Sequence, residues 1–198
     1  MIVSNCILLV SSQKVLGKSL SLDSLSKAYI TDKEIDFIRS FMWENAGTIL
    51  EVGAYVGKTF HNLYKHRPNW EYVAVDAWES RPFPMTDPNI PYDHTAKEPL
   101  VHSKYFKENC PFAYMHVSDY ENILFTNDTF DVIILSAASQ IIDFRDHYYK
   151  AIKEVKPDGI IIGRYMNHKK YGDAVKDCVN RINPDNYMEY NESMFAIW

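Results

Sequence analysis

Thr48-Ile49-Leu50-Glu51-Val52-Gly53-Ala54-Tyr55-Val56-Gly57-Lys58-Thr59 decides the fold. Thr48–Val52 is a short, mostly apolar run that suits a buried strand, and it runs straight into glycine. Gly53 and Gly57 allow the backbone to turn tightly and to pass close to a ligand. Gly57 begins a helix whose Phe60, Leu63 and Tyr64 share a face, and the first amides of such a helix are free to meet an anion. A tight strand-to-helix turn that binds nothing would use the same letters. The next strand, Glu71–Val75, ends at Asp76, about 20 residues past the turn, where nucleotide-binding α/β folds place a carboxylate for two ribose hydroxyls. Alone, Asp76 is equally a surface carboxylate capping a loop. Together the two features point to an adenosine-containing cofactor lying across the first two strands.

The rest of the chain continues the alternation. Upstream, Thr31-Asp32-Lys33-Glu34 has the spacing of a capping box. Behind it Ile35, Ile38 and Met42, flanked by Phe37 and Phe41, form an apolar stripe, predicting a helix over about 32–46 with Gly47 as its stop. Downstream we expect a helix near 99–109, a third strand at Ala113–Val117 and a fourth at Phe130–Leu135, whose unbroken apolar run suits burial on both faces. Ile141, Phe144, Tyr148, Ile152 and Val155 space a helix closed by Pro157-Asp158-Gly159, and Ile160–Ile162 is a fifth strand. A last helix, about 169–183, has Tyr171, Val175, Cys178 and Ile182 on one side. Tyr187–Tyr190 and Met194–Trp198 read as a hairpin turning through Asn191-Glu192-Ser193. The expected fold is therefore α/β: a doubly wound, mostly parallel seven-stranded sheet with helices on both faces and a C-terminal antiparallel hairpin. Ligands of such sheets bind beyond the carboxyl ends of the strands, here just after Val52, Val75, Val117, Leu135 and Ile162.

Composition sets the outer bounds. The chain has 198 residues, 46% hydrophobic and 24% charged, with net charge -5. That is enough for one domain with a sizeable core and too apolar for a disordered chain. The acidic balance and the lack of a Lys/Arg run argue against nucleic acid as a partner. Cys6, Cys110 and Cys178 are odd in number and widely spaced, as expected of thiols in a reducing compartment rather than of a disulfide or zinc scaffold. Ile2–Val10 is apolar but much shorter than the roughly 20 residues of a membrane span. It also lacks the basic start and cleavage site of a signal peptide, so we expect a cytoplasmic protein without membrane association. Residues 1–30, rich in Ser and Leu without a period, read as an appendage packed on the main domain, 31–198. Residues 79–98, with Pro82, Pro84, Pro88 and Pro91, read as a long lid or substrate loop. The composition is compatible with a homo-oligomer.

Three cofactor chemistries compete for the glycine turn. A nicotinamide fingerprint, G-x-G-x-x-G, would need glycine where Tyr55 stands, and that side chain blocks the approach of a pyrophosphate. A P-loop needs a longer span before Gly57-Lys58-Thr59 than Gly53 leaves. S-adenosylmethionine has no phosphate, tolerates a bulkier turn, and carries positive charges that suit Glu51. The turn, the segment Val73-Ala74-Val75-Asp76-Ala77-Trp78 and the later Val155-Lys156-Pro157-Asp158-Gly159-Ile160-Ile161-Ile162-Gly163 resemble class I, Rossmann-like S-adenosylmethionine-dependent methyltransferases. Within them the nearest resemblance is to the macrocin-O-methyltransferase-like group, over about residues 32–198. That likeness implies S-adenosyl-L-methionine as cofactor, with Glu51, Gly53, Ala54, Tyr55 and Gly57 lining its methionine and ribose portion. It implies Asp76 on the ribose hydroxyls, Ala77 and Trp78 beside the adenine, Ser118 and Asp119 near the adenine amine, and Ser136 facing the sulfonium.

The pattern breaks where metal-dependent relatives carry ligands. After the fourth strand this chain has Leu135-Ser136-Ala137-Ala138-Ser139-Gln140, and after the fifth Gly163-Arg164-Tyr165, where those relatives show carboxylates and imidazole. A hard cation needs several oxygen ligands, so we expect no metal. Methyl transfer is an in-line displacement for which positioning does much of the work, but many acceptors must also lose a proton. His94 beside Asp93 is a candidate base, with His102 a second; both are equally read as solvated histidines. Arg164 is a candidate for orienting an anionic acceptor in place of a metal, or else an exposed strand cap. Asp143 and His147 read as a solvated pair on a polar helix face, and Tyr148 and Tyr149 as core and surface. The expected activity is metal-independent methyl transfer to a small-molecule acceptor of the sugar or polyol kind. The competing reading is a degenerate, inactive domain with a binding or structural role.

Overall fold

The structure, a computed structural model, describes residues 30–43, 45–78, 100–136, 141–164, 172–182, 184–190 and 193–198. The expected appendage (all but Ile30), the 79–98 loop with His94, the side chains of His102 and Asp143, and Tyr171 lie outside these residues.

Helix α1 spans Asp32–Ser40 and opens with the expected capping box: the Glu34 amide donates to Thr31 Oγ1 at 3.2 Å, and the Thr31 amide donates to Glu34 Oε2 at 2.7 Å. It ends six residues earlier than expected. The Met42 carbonyl accepts from Arg67 Nε and the Trp43 carbonyl from Trp70 Nε1, each at 3.2 Å, so tertiary donors take the carbonyls that another turn of helix would have used. Gly47 lies against the Trp70 ring and leads into β1 instead of capping α1.

Then follow β1 (Thr48–Val52), α2 (Lys58–Tyr64), β2 (Glu71–Asp76), α3 (Leu100–Asn109), β3 (Tyr114–Val117), a 3-10 turn (Tyr120–Asn122) and β4 (Phe130–Leu135). The chain continues through α4 (Ile141–Glu154), β5 (Val155–Arg164), α5 (Gly172–Ile182), β6 (Tyr187–Tyr190) and β7 (Met194–Ile197). The seven strands lie in the order β3-β2-β1-β4-β5-β7-β6. Strands β1 to β5 pair in parallel, and β7 is antiparallel to both β5 and β6. The doubly wound, mostly parallel sheet with its terminal hairpin is therefore as the residues predicted.

β5 starts earlier than expected. Val155 already pairs with Phe130, and pairing resumes at Ile160 opposite Val132, so residues 156–159 swell out of the ladder. Pro157 can sit in a strand only at such an irregularity. Lys156 Nζ reaches both oxygens of Asp131 at 2.9 Å and closes the swelling from outside.

Each face of the sheet has its own core. On one, Ile35 and Ile38 of α1, Phe60 and Leu63 of α2 and Phe106 of α3 cover Ile49, Ala74, Val132, Ile134 and Ile162. On the other, Tyr148 and Ala151 of α4 and Val175 and Val179 of α5 cover Leu50, Val52, Ile133, Leu135 and Ile161. Each fully buried Leu, Ile or Phe contributes roughly 1.5–3 kcal/mol relative to exposure, which fixes the strand register through both faces. Winding reverses between β1 and β4, because the chain builds outward through β2 and β3 and then returns to β1's other side.

Candidate functional site

The strand ends form one rim. Gly53 N–H donates to the Val75 carbonyl at 2.7 Å, Ser118 N–H to the Asp76 carbonyl at 3.1 Å, and Ser136 N–H to the Val52 carbonyl at 2.9 Å. These bonds extend the ladders one residue past β1, β3 and β4, so Glu51, Asp76, Ser118 and Ser136 share the carboxyl edge.

The glycine turn is held in a left-handed backbone. Gly53 and Gly57 have φ of 83°, and Tyr55, a non-glycine residue, has φ of 49°. This conformation costs a side-chain-bearing residue roughly 1–2 kcal/mol, so the surroundings must impose it. Tyr55 N–H donates to Asp76 Oδ2 at 2.9 Å, and the Tyr55 carbonyl accepts from the Trp78 indole. Behind the turn, Asn109 Nδ2 donates to the Val56 carbonyl at 2.9 Å and the Cys110 thiol to the Gly57 carbonyl at 3.2 Å. The buried rings of Phe106 and Trp78 pack together at 5.1 Å beneath.

Glu51, next to last in β1, is 2% exposed. Both nearby hydroxyls donate to one oxygen, Thr59 Oγ1 to Oε1 at 2.8 Å and Ser136 Oγ to Oε1 at 3.0 Å. Oε2 is buried and has no hydrogen-bond partner among the described residues. Burial lifts the carboxyl to a pKa of about 7, against the opposing pull of the two hydroxyls and of the Arg164 cation; the neighbouring Asp76 pushes it further up. The Glu51–Ser136 bond bridges β1 and β4 at the point where the winding reverses.

Asp76 is half-buried and braces the turn. Besides Tyr55, the Trp78 amide donates to its Oδ1 at 3.0 Å. Burial raises its carboxyl, and the amides of Tyr55, Trp78 and Ala77 oppose that shift. A carboxylate offers about four lone-pair sites, so beyond these three amides it keeps capacity for a further donor such as a ribose hydroxyl.

The other expected residues fall around this pair. Ala54 is buried, while Tyr55, Ala77, Ser118 and Asp119 are partly exposed along the rim. Asp119 precedes the 3-10 turn, and its carbonyl accepts the Asn122 amide at 3.1 Å. Trp78 is only 6% exposed: its indole serves the turn and the Phe106 contact, a role that the letters Asp-Ala-Trp did not disclose. Arg164 ends β5 opposite Met194, close enough for its charge to act on Glu51. Thr59, Asn109 and Cys110 were missed. Thr59 had a signal, since a residue in the first turn of the helix after the glycine turn can face the end of β1; Asn109 and Cys110 had none, because only tertiary packing brings α3 under the turn.

Two expectations change or stay open. His147 is not solvated: it is buried, its Nε2 meets Glu121 Oε1 at 2.7 Å, and its ring lies edge-on to Tyr120 at 5.3 Å. Tyr148 is core and Tyr149 surface, as expected. Among the described residues no three His, Cys, Asp or Glu side chains come together to hold a metal ion, and residues 137–140 and 165–170 lie outside them. No described helix is long and apolar enough to cross a membrane.

No protein-family model matches the chain, and no curated protein matches it at significant similarity. Solved structures do match in fold. A TehB-like SAM-dependent methyltransferase from Corynebacterium glutamicum superposes with a TM-score of 0.55 at 14% identity, over 82% of this chain and 84% of its own. A precorrin-6y C5,15-methyltransferase from Geobacter metallireducens gives 0.56 at 11% identity, over 87% and 91%. A SAM-dependent methyltransferase from Aquifex aeolicus gives 0.54 at 13% identity, over 89% and 93%. At such identities the likeness is one of architecture: this chain has the methyltransferase Rossmann-like fold.

Proposed function

We propose that the protein binds S-adenosylmethionine and transfers its methyl group to a small-molecule acceptor. One observation carries the reading: a buried carboxylate with an unpartnered oxygen, Glu51, and a braced carboxylate with spare acceptor capacity, Asp76, flank one left-handed turn at the switch point. A buried oxygen without a donor is costly unless something completes it, and a cationic ligand group would do so. Asp76 would take the ribose hydroxyls, and the rim from Ala77 to Asp119 would flank the adenine. Bound there, S-adenosylmethionine supplies a methyl group on a sulfonium leaving group. The chain's own part is to hold that end rigidly, through the turn pinned by Trp78, Asn109 and Cys110.

For the acceptor we propose a sugar or polyol, in line with the resemblance to the macrocin-O-methyltransferase-like group. We further propose a reaction that uses no metal, because β4 and β5 end in Ser136 and Arg164 in place of carboxylates. The described cysteines, Cys110 and Cys178, are free buried thiols, which supports a reducing, cytoplasmic setting.

Calorimetric titration with S-adenosylmethionine, S-adenosylhomocysteine and NAD tests the cofactor. Binding of the first two and not of NAD is expected; NAD binding alone would overturn the proposal. Mass spectrometry of sugars and polyols incubated with protein and S-adenosylmethionine tests the transfer. Tight binding without a methylated product would favour the inactive reading.

A further inference from the structure

We infer that Glu51 is a proton-coupled receptor for a positive charge on the ligand: part of the ligand-free protein carries a proton on this carboxyl group, and entry of a cationic group displaces that proton to solvent. The inference rests on the proposed cofactor and adds a proton exchange, and with it a pH dependence, at the same site. Its basis is geometric. Glu51 is 2% exposed, both neutral donors in reach converge on Oε1, and Oε2 is buried with no hydrogen-bond partner among the described residues. An ionised Oε2 would be a buried anion lacking a donor, which protonation relieves and a cation relieves better.

The groups around it leave Glu51 as the site of the exchange. From β2, Asp76 adds negative charge; from the end of β5, Arg164 adds positive charge; and below, just after α3, the Cys110 thiol is held neutral, burial and the Glu51 charge both pushing it up. Thr59 and Ser136 do not titrate in this range. Burial lifts this carboxyl to about 7, so part of the population is protonated at neutral pH, the condition under which a ligand has a proton to displace.

Three nucleosides separate the charges. S-adenosylmethionine carries a sulfonium and an ammonium, S-adenosylhomocysteine only the ammonium, and 5′-methylthioadenosine neither. Each is titrated calorimetrically at pH 7 in phosphate and in Tris, whose different ionisation heats report protons released. We expect a fraction of a proton per site for S-adenosylmethionine at pH 7, rising toward one as the pH is lowered and falling toward zero as it is raised. Release with S-adenosylhomocysteine as well would identify the ammonium as the partner; release with S-adenosylmethionine alone, the sulfonium. Both outcomes support the inference. Glu51→Gln should bind without release, and if that variant does not fold, the wild-type pH series carries the test. S-adenosylmethionine binding without proton release overturns the inference and leaves the proposed function standing, as does equal release with 5′-methylthioadenosine, which would trace the proton to the ribose contact. Binding of none of the three overturns both.

Discussion

Asp76 Oδ2 accepts the backbone N–H of Tyr55 at 2.9 Å, so the carboxylate that ends β2 holds the turn that ends β1 in its left-handed form. Its other oxygen holds the Trp78 amide, whose indole returns to the Tyr55 carbonyl, making a closed ring of three residues. Asp76→Ala leaves the amides of Tyr55, Trp78 and Ala77 without this acceptor, each costing about 1–3 kcal/mol if it stays buried. We expect a clear fall in thermal midpoint and at least a tenfold loss of S-adenosylmethionine affinity. A lowered midpoint with unchanged affinity would make Asp76 a brace and nothing more.

Tyr55 occupies a backbone region that glycine enters freely. Tyr55→Gly trades a conformational cost of roughly 1–2 kcal/mol for a glycine entropy cost of roughly 0.5–1 kcal/mol, so it should be neutral or mildly stabilising. Tyr55→Val puts a β-branched side chain there and should lose roughly 1–3 kcal/mol. Urea unfolding of both variants checks the order, and a Val variant as stable as wild type would mean that the turn relaxes on mutation.

Gly163 sits beneath the site, one residue before Arg164. A Cβ there would lie 1.9 Å from Tyr148 Oη and 2.3 Å from the Phe195 ring, and those two stacked rings belong to the core. Gly163→Ala should destabilise by about 3 kcal/mol, at the upper end of overpacking costs. Gly163→Ala with Phe195→Leu should recover part of the loss; absence of recovery would place the clash on Tyr148.

What the residues disclosed, and what they hid, follows contact range. The strand-to-helix turn, the Thr31 capping box and the hairpin are written in consecutive residues, where periodicity and turn chemistry act. Asp76 was legible because strand order alone brings it beside the turn. The end of α1 was not, since Arg67 and Trp70 compete for its carbonyls from 25 or more residues away. His147 was misjudged and the packing of Trp78 was hidden for the same reason: the partners that bury them, Tyr120 and Phe106, lie on other elements.

Glu51 should leave a signature in stability against pH. Its carboxyl ionises near 4.5 in an unfolded chain and near about 7 when folded. Between these values the unfolded state gives up the proton and the folded state keeps it, so the contribution is complete below pH 4.5 and lost as pH rises through 7. The loss amounts to roughly 3 kcal/mol. The stability of wild type minus that of Glu51→Gln, from denaturant titrations at pH 4 to 8, should fall across this window. A flat difference would mean that Glu51 ionises normally.

Arg164, which we propose meets the acceptor, is coupled to Glu51, because its charge favours the ionised carboxylate. Removing that charge in Arg164→Met must raise the proton affinity of Glu51. At pH 7 the fraction protonated before ligand binding then grows, so calorimetry should show more proton release than in wild type and weaker S-adenosylmethionine binding. The same guanidinium, at the end of β5, is suited to orient an anionic oxygen of the acceptor, as a planar fork of donors does for carboxylate or phosphate. Turnover should therefore fall beyond the loss in cofactor affinity, and Arg164→Lys should restore the charge effect on Glu51 but only part of the turnover. If Arg164→Met binds the cofactor and turns over like wild type, Arg164 neither tunes Glu51 nor meets the acceptor, and its place at the rim is that of a strand cap.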